Sequence, residues 1–352
     1  MPPITRRTLL AGLGAVALAG CSAGRAEPPA DTVGGTASGT GSLSGAASGT
    51  ASGSAAATAS GAATELPSPP PVPDVTVNTA VGPVTVPGAP MRVVALDTAE
   101  LDSSLTLGIT PVGAALAPLD TGFPDYWPAS RLSGITRVGA IGDPDLSTLR
   151  ALRPDLILSN QARDGARYDQ LRAIAPTVLT QTTGASWKAD FQLHAEALSR
   201  QDAAAAFVSS YQRHVSQTVQ ALAGAKASGR RISLVRFVEG GGIRLYGKQN
   251  FLGTVLTELQ LGRPDSQNVD QFDVEVPPDQ IAKADGDLVL YATYGDPEAA
   301  GTTATLASPG WQALGAVRAH RAFEVDDQLW FQGIGYTAAN YVLAELQRFL
   351  GA

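Results

Sequence analysis

The chain has 352 residues, of which 44% are hydrophobic and 16% charged, with a formal net charge of −7. That length and apolar content suffice for two buried cores and exclude a charge-rich disordered chain. The acidic balance lacks the basic stripe that a nucleic-acid partner requires, and the single cysteine, Cys21, excludes an internal disulfide.

Residues 1–20 read as an export signal. Arg6 and Arg7 precede a short apolar run over 11–19, which is the twin-arginine arrangement and too short for a lasting membrane span. Leu18-Ala19-Gly20-Cys21 looks like a bacterial lipobox, which predicts cleavage before Cys21 and its diacylation. Each buried acyl CH₂ contributes about 0.8 kcal/mol, so acylated Cys21 is expected to hold the chain on the extracytoplasmic face of the cell membrane. Residues 21–73 are mostly Ala, Gly, Ser and Thr, ending in Leu66-Pro-Ser-Pro-Pro-Pro-Val-Pro73. Such a segment buries too little apolar surface to fold and reads as a tether that stiffens toward its end.

The first α/β lobe is expected over 74–186. Residues 75–78 and 84–86 alternate around Gly82-Pro83 as a small hairpin, and 92–96 is an apolar strand followed by Asp97-Thr98 as a helix N-cap. Helix over 146–152, strand over 155–158, helix over 167–174 and strand over 177–179 follow. This alternation predicts a parallel sheet whose ligands gather beyond the carboxyl ends of its strands. Asp97, Asn160, Gln161 and Arg163 then sit at a rim.

Between residues 185 and 223 there is neither glycine nor proline, in a chain with 38 Gly and 24 Pro. Phe207, Tyr211, Val215, Val219 and Leu222 recur at helical spacing, and Asp202 suits the N-cap of a second segment. The stretch 187–226 is read as a helical strut leading to a second α/β lobe over 227–352. There, strands are expected over 231–237, 243–246, 287–290 and 322–325, and helices over 251–259, 278–284 and 336–349. Gly240-Gly241-Gly242 reads as a hairpin turn, because no Lys-Ser/Thr follows to close a phosphate loop. The segments 146–158 and 276–290 are counterparts, each a short helix, a turn and an apolar strand led by Asp155 or Asp287. Two similar lobes about a strut imply a binding cleft between them.

The run from Gly82 to Asp97, the two Asp-led units and the strut together resemble the iron-siderophore binding proteins of ABC importers, a group that includes cobalamin and haem receptors. The resemblance covers about residues 75–350. It implies two Rossmann-like lobes joined by a long helix and moving little on closing, no covalent cofactor, and delivery of cargo to a membrane permease. The family docks its permease through one acidic residue on each lobe. Asp279 matches that position in the second lobe, whereas Ser147 stands at it in the first, near Asp143 and Asp145.

A ferric siderophore is bulky, so its cleft needs arginines for charge and aromatics for flat contact. Arg236, after the strand residues Ile-Ser-Leu-Val, is the leading ligand contact, followed by Arg163 with Gln161. Trp187 either lines the cleft or pins the strut. Trp330 and Phe331, in a glycine-rich loop, are cleft wall or core edge, and Tyr246, Phe251 and Tyr294 are further ligand candidates. Trp311 reads as a packing residue. His194, His214 and His320 are scattered, so neither a metal site nor protein-derived iron ligands are expected. No catalytic residue is expected, because a dinucleotide fingerprint, a Gly-x-Ser-x-Gly elbow and a His-paired nucleophile are all lacking. The expected function is that of a monomeric, lipid-anchored receptor for ferric siderophores. Haem or cobalamin cargo, and a sensory protein that has lost transport, stand as alternatives.

Overall fold

A computed structural model describes residues 72–352. The export signal, Cys21 and the tether up to residue 71 lie outside the described residues. The chain enters through an antiparallel hairpin, β1 (Val75–Thr79) and β2 (Gly82–Val86), paired from Val75–Val86 to Thr79–Gly82. Its turn falls at Ala80-Val81, just before the expected Gly82-Pro83, and Gly82 takes φ +97°, which favours glycine.

The first lobe is built on β3 (Val93–Ala95), β4 (Gly113–Leu116), β5 (Thr136–Ala140), β6 (Asp143–Pro144), β7 (Leu156–Asn160) and β8 (Thr177–Thr180). Their order is β6-β5-β4-β3-β7-β8, parallel throughout except for β6. Every residue of β3, β4, β7 and β8 is buried, as expected of parallel strands covered on both faces. Helix α1 (Thr98–Thr106) follows β3, and its N-cap Asp97 accepts a hydrogen bond from the Thr98 amide. Helix α2 (Leu146–Leu152) precedes β7 and is capped by Asp145.

The glycine-free stretch forms α3 (Trp187–Ala197) and α4 (Gln201–Gly224), broken where Ser199 turns left-handed at φ +52°. The N-cap of α4 is Arg200, and Asp202 lies in its first turn instead of at the cap. At 1.5 Å per residue α4 is about 36 Å long. Its buried residues are Ala204, Tyr211, Thr218 and Leu222, while Phe207 is 39% exposed. Four-residue steps overshoot the 3.6-residue turn, so the expected row 207-211-215-219 drifts off the buried face at its start. Helix α3 packs on α1 and β1, and α4 packs along the closing helix described below.

The second lobe contains β9 (Ile232–Val238), β10 (Ile243–Tyr246), helix α5 (Phe251–Glu258), β11 (Asp273–Val276), β12 (Leu288–Tyr294), β13 (Ala322–Glu324) and helix α6 (Tyr336–Leu350). The strand order is β11-β10-β9-β12-β13. Strands β9, β12 and β13 are parallel, and β10 and β11 are antiparallel additions beyond the glycine hairpin. The segment Pro278–Ala284 is a 3₁₀ helix.

Alternation along the strands sorts the cores. Leu156, Leu158, Leu234, Leu288 and Leu290 face a core that runs through both lobes and takes in Leu101, Phe191, Tyr211, Leu222 and Leu346 from the helices between. Ile157 and Leu149 belong to an outer core on the first lobe, and Val235, Phe237, Val289 and Trp311 to one on the second. The Asp-led counterparts share one task. Asp155 accepts from the Met91 and Arg92 amides at 2.8 and 2.9 Å, and Asp287 accepts from the Arg231 amide at 2.8 Å. Each carboxylate thereby locks the entry to the neighbouring strand.

Candidate functional site

Strand register delivers the second lobe's contribution. Leu234 and Arg236 share one face of β9, so the face that packs Leu234 into the inner core carries Arg236 near its carboxyl end. Arg244 of β10 lies directly across from Arg236, and Tyr246 follows on the same face. Asp327, just beyond β13, grips Arg236 in a two-pronged ion pair, with Nε–Oδ1 and Nη2–Oδ2 both 2.6 Å. The guanidinium lies 4.6 Å from the centre of the Tyr294 ring and 5.7 Å from that of Phe331. Its Nη1 donates to the Tyr246 hydroxyl at 3.4 Å, and Tyr246 meets Phe331 edge-on at 4.8 Å. Burial opposes the Arg236 charge, but the Tyr246 oxygen and Asp327 outweigh it and hold its pKa above the usual value.

In the first lobe, Asp97 lies two residues beyond β3, and Asn160 ends the adjacent β7. Asn160 Nδ2 and Arg163 Nε both donate to Asp97 Oδ2 at 3.1 Å. Arg163 keeps about half of its side chain in solvent, and Gln161 beside it is exposed. Beneath them, between α1 and α3, Glu100 and His194 are fully buried. The Glu100 carboxyl is pushed up by burial and by Asp97, and His194 is pushed down to about 3 by burial. The His194 Nδ1 bonds the Ser103 hydroxyl at 2.9 Å, and its Nε2 lies 3.9 Å from Glu100.

The loop after β4 crosses to the second lobe. The Leu119 amide donates to the Tyr294 hydroxyl at 2.9 Å, and Gln328 Nε2 donates to Asp120 at 3.0 Å. The Asp125 amide donates back to Gln328 Oε1 at 3.0 Å. Gln332 Nε2 donates to Asp327 at 2.8 Å and reaches Asp120 at 3.5 Å. Since β4, β3 and β7 are neighbours in one parallel sheet, the Asp120 loop and the Asp97–Arg163 cluster share its carboxyl edge. The two lobes therefore meet through strand-end residues, an arginine in an aromatic frame on one side and an arginine–aspartate cluster on the other. Burial raises the Asp120 carboxyl, against the pull of Gln328 and Gln332. A surface cavity of about 590 Å³ lies elsewhere on the second lobe, between Gly241, Glu275, Pro278, Glu298 and Thr305, and none of the expected ligand residues lines it.

Four expected contacts, Arg236, Tyr246, Tyr294 and Phe331, come together, and Arg163 with Gln161 lies on the opposing lobe. Three expected contacts do not belong to the site, and one of them, Phe251, is buried at the start of α5 against Trp187. Trp187 is 2% exposed, packed edge-on against Tyr336, Phe251 and Tyr211, with Nε1 bonded to the Thr254 hydroxyl at 2.9 Å. It pins helices. Trp330 is completely buried, donating to Glu345 at 2.6 Å. The segment read as a glycine-rich loop is a π-helical turn, Gln328–Gln332, in which Trp330 enters the core while Phe331 meets Tyr246. Asp279 and Ser147 are exposed, and the Ser147 hydroxyl donates to Asp145 at 2.8 Å. Sequence reasoning missed Asp327 and Asp120. Asp327 follows a strand in the same way that Asp97 does, and that signal was available. Among the described residues no cluster of three or more His, Cys, Asp or Glu side chains is placed to hold a metal ion.

Residues 93–329 match a family described as periplasmic binding protein. A probable siderophore-binding lipoprotein of Bacillus subtilis is 32% identical over 286 residues, covering 78% of this chain and 87% of the relative. An Fe(3+)-citrate-binding protein of the same organism is 28% identical, covering 77% and 85%. Among solved structures, Staphylococcus aureus SirA complexed with staphyloferrin B superposes with a TM-score of 0.70 at 24% identity, covering 79% of this chain and 98% of that one.

Proposed function

The chain belongs to the periplasmic binding protein family, and we propose that it captures a ferric siderophore between its lobes and delivers it to an ABC permease. The observation that carries this reading is Arg236, framed by Tyr246, Tyr294 and Phe331 at the carboxyl edge of one sheet and opposed by Arg163 and Asp97 on the other. Such a frame suits a bulky, flat-sided complex whose iron is already fully coordinated, because the protein need supply only shape, charge and hydrogen bonds. The names of relatives that bind siderophores and ferric citrate support the same cargo class.

In this reading the protein acts as a monomer outside the cytoplasm, tethered through acylated Cys21, and presents Asp279 and the Ser147 end of the first lobe to the permease. Titration of tryptophan fluorescence with ferric siderophores, haem and cobalamin tests the cargo. A saturable quench by a ferric siderophore is expected. Saturation by haem or cobalamin alone would transfer the protein to that cargo, and no response to any of them would refute the reading. Arg236→Ala is expected to weaken siderophore binding at least tenfold with the fold intact, since Asp327 and the Tyr294 ring lose the group that orients them.

A further inference from the structure

The lobes touch at two flanks of the joint. On one flank the loop after β4 meets Tyr294 at the end of β12 and Gln328 beyond β13. On the other, Gly184, beyond β8, lies against the Phe272 ring just before β11, where an added Cβ would fall 3.4 Å from Cε2. Between these flanks run β3 and β7 of the first sheet and β9 and β10 of the second. Asp97, Asn160 and Arg163 are thereby set opposite Arg236 and Arg244. Along this span the acceptors are filled and the donors are open. Asp327 grips the Arg236 fork with both oxygens, and Asp97 takes the Thr98 amide on Oδ1 and Asn160 and Arg163 on Oδ2. Arg163 spends only Nε on Asp97, which leaves both Nη groups without an acceptor among the described residues. The Arg244 side chain is 36% exposed and makes no hydrogen bond among the described residues, with Asp273 at 3.8 Å from Nη1. Glu275, across from Arg244 on β11, turns its carboxylate onto Gly242 instead. A second observation comes from the ladder. Arg236 and Arg244 are direct partners on one face, with Cβ atoms about 5 Å apart, and like charges so placed are unfavourable until an anion meets them. Beyond Tyr246, Phe272 packs on that ring at 5.5 Å yet keeps 44% of its surface in solvent, which extends the Phe331–Tyr246 row into an open apolar wall.

Resting on the siderophore reading above, we infer that Arg244 is a cargo-binding residue that acts with Arg163 across the cleft, and that the cargo is an anionic ferric complex whose carboxylate or catecholate oxygens take their free Nη groups while Phe272 flanks it. Arg236, its fork closed by Asp327, presents the aromatic frame, and Arg244 and Arg163 read the charge. A guanidinium with open N–H groups matches paired anionic oxygens, and each such bond is charge-assisted. The same groups set against a cationic complex supply the repulsive half of the selection.

The test uses the full soluble chain and three probes: ferric dicitrate, an anionic carboxylate complex, ferric enterobactin, an anionic catecholate complex, and ferrioxamine B, a hydroxamate complex with a free ammonium group. At least one of the two anionic complexes is expected to bind tenfold or more tightly than ferrioxamine B, a margin of about 1.4 kcal/mol, and which of them does so separates carboxylate from catecholate cargo. Arg244→Gln and Arg163→Gln are each expected to shrink that margin roughly tenfold, with an unchanged melting temperature for Arg244→Gln as the check on folding. Arg244→Lys, which keeps the charge and loses the fork, should fall between Arg244→Gln and the wild type. Tightest binding of ferrioxamine B, or a margin that neither glutamine variant moves, would overturn the inference and leave the siderophore reading standing. Failure of every ferric complex to bind would overturn both.

Discussion

Asp102 gives the sharpest test of how the lobes are joined. It lies on α1, is completely buried, and reaches the start of α6. It accepts from Thr106 Oγ1 at 3.1 Å, Tyr126 OH at 3.2 Å and the Ala338 amide at 3.3 Å. Burial nevertheless outweighs these donors and raises its pKa to about 7, from an ordinary value of 3.8. A carboxyl whose pKa is higher folded than unfolded contributes stability that is complete below the unfolded value and is lost as pH rises through the folded one. At about 1.36 kcal/mol per unit the total loss is about 4 kcal/mol, and roughly 2 to 3 kcal/mol of it falls between about pH 5 and pH 8. Asp102→Asn removes the titration while adding a constant cost for the lost acceptor. Urea denaturation of both proteins across that range should therefore show the variant gaining on the wild type by roughly 2 to 3 kcal/mol as pH rises. His194 and Asp190 titrate in both proteins and cancel in the difference. Parallel stability–pH curves would refute the reasoning.

His194, buried and neutral with its pKa lowered to about 3, favours the fold above the unfolded value near 6.5 and loses that contribution as pH falls toward 3. His194→Gln should flatten the acid limb of the melting curve. Trp187→Ala should cost about 3–5 kcal/mol in chemical denaturation, yet leave cargo affinity within about twofold at temperatures where it folds. A cargo-binding loss in the folded variant would return Trp187 to the site. At Gly335 an added Cβ would fall 2.0 Å from Asp102 Oδ1 and 2.9 Å from its Cβ, so Gly335→Ala should lower the melting temperature by the equivalent of about 3 kcal/mol. The proposed lipid anchor predicts that the wild type is recovered with the membrane and Cys21→Ser in the soluble fraction, and equal recovery of both from the soluble fraction would refute it.

Much of the scaffold is legible in the sequence because parallel strands are written as unbroken apolar runs. Residues 92–96 and 155–158 could hardly be anything else, and Asp97-Thr98 announces the helix after the first of them. The paired Asp155 and Asp287 betray the internal repeat in the sequence itself. The site is less legible, since it depends on partners distant in the chain. Nothing in the order of residues pairs Arg236 with Asp327, 91 positions later, or carries Asp120 to Gln328 across the joint. The fates of Trp330 and Phe331 turn on a π-helical turn, whose wider winding sends adjacent aromatics to different surroundings and leaves no compositional trace. Trp187 was ambiguous because a tryptophan at a helix start suits both a wall and a pin. Its contacts with Tyr336, Phe251 and Tyr211 come from three other helices that no local pattern reveals.

The core threaded through both lobes has a practical consequence for anyone cutting the molecule. A fragment ending at Gly224 would keep Leu101, Phe191 and Tyr211 but lose Leu234, Leu290 and Leu346, which now shield them from water. Either half made alone should be sticky and poorly soluble. Reporter dyes or fused domains are better placed at outlying turns such as Gly240-Gly241 than at the link between the halves.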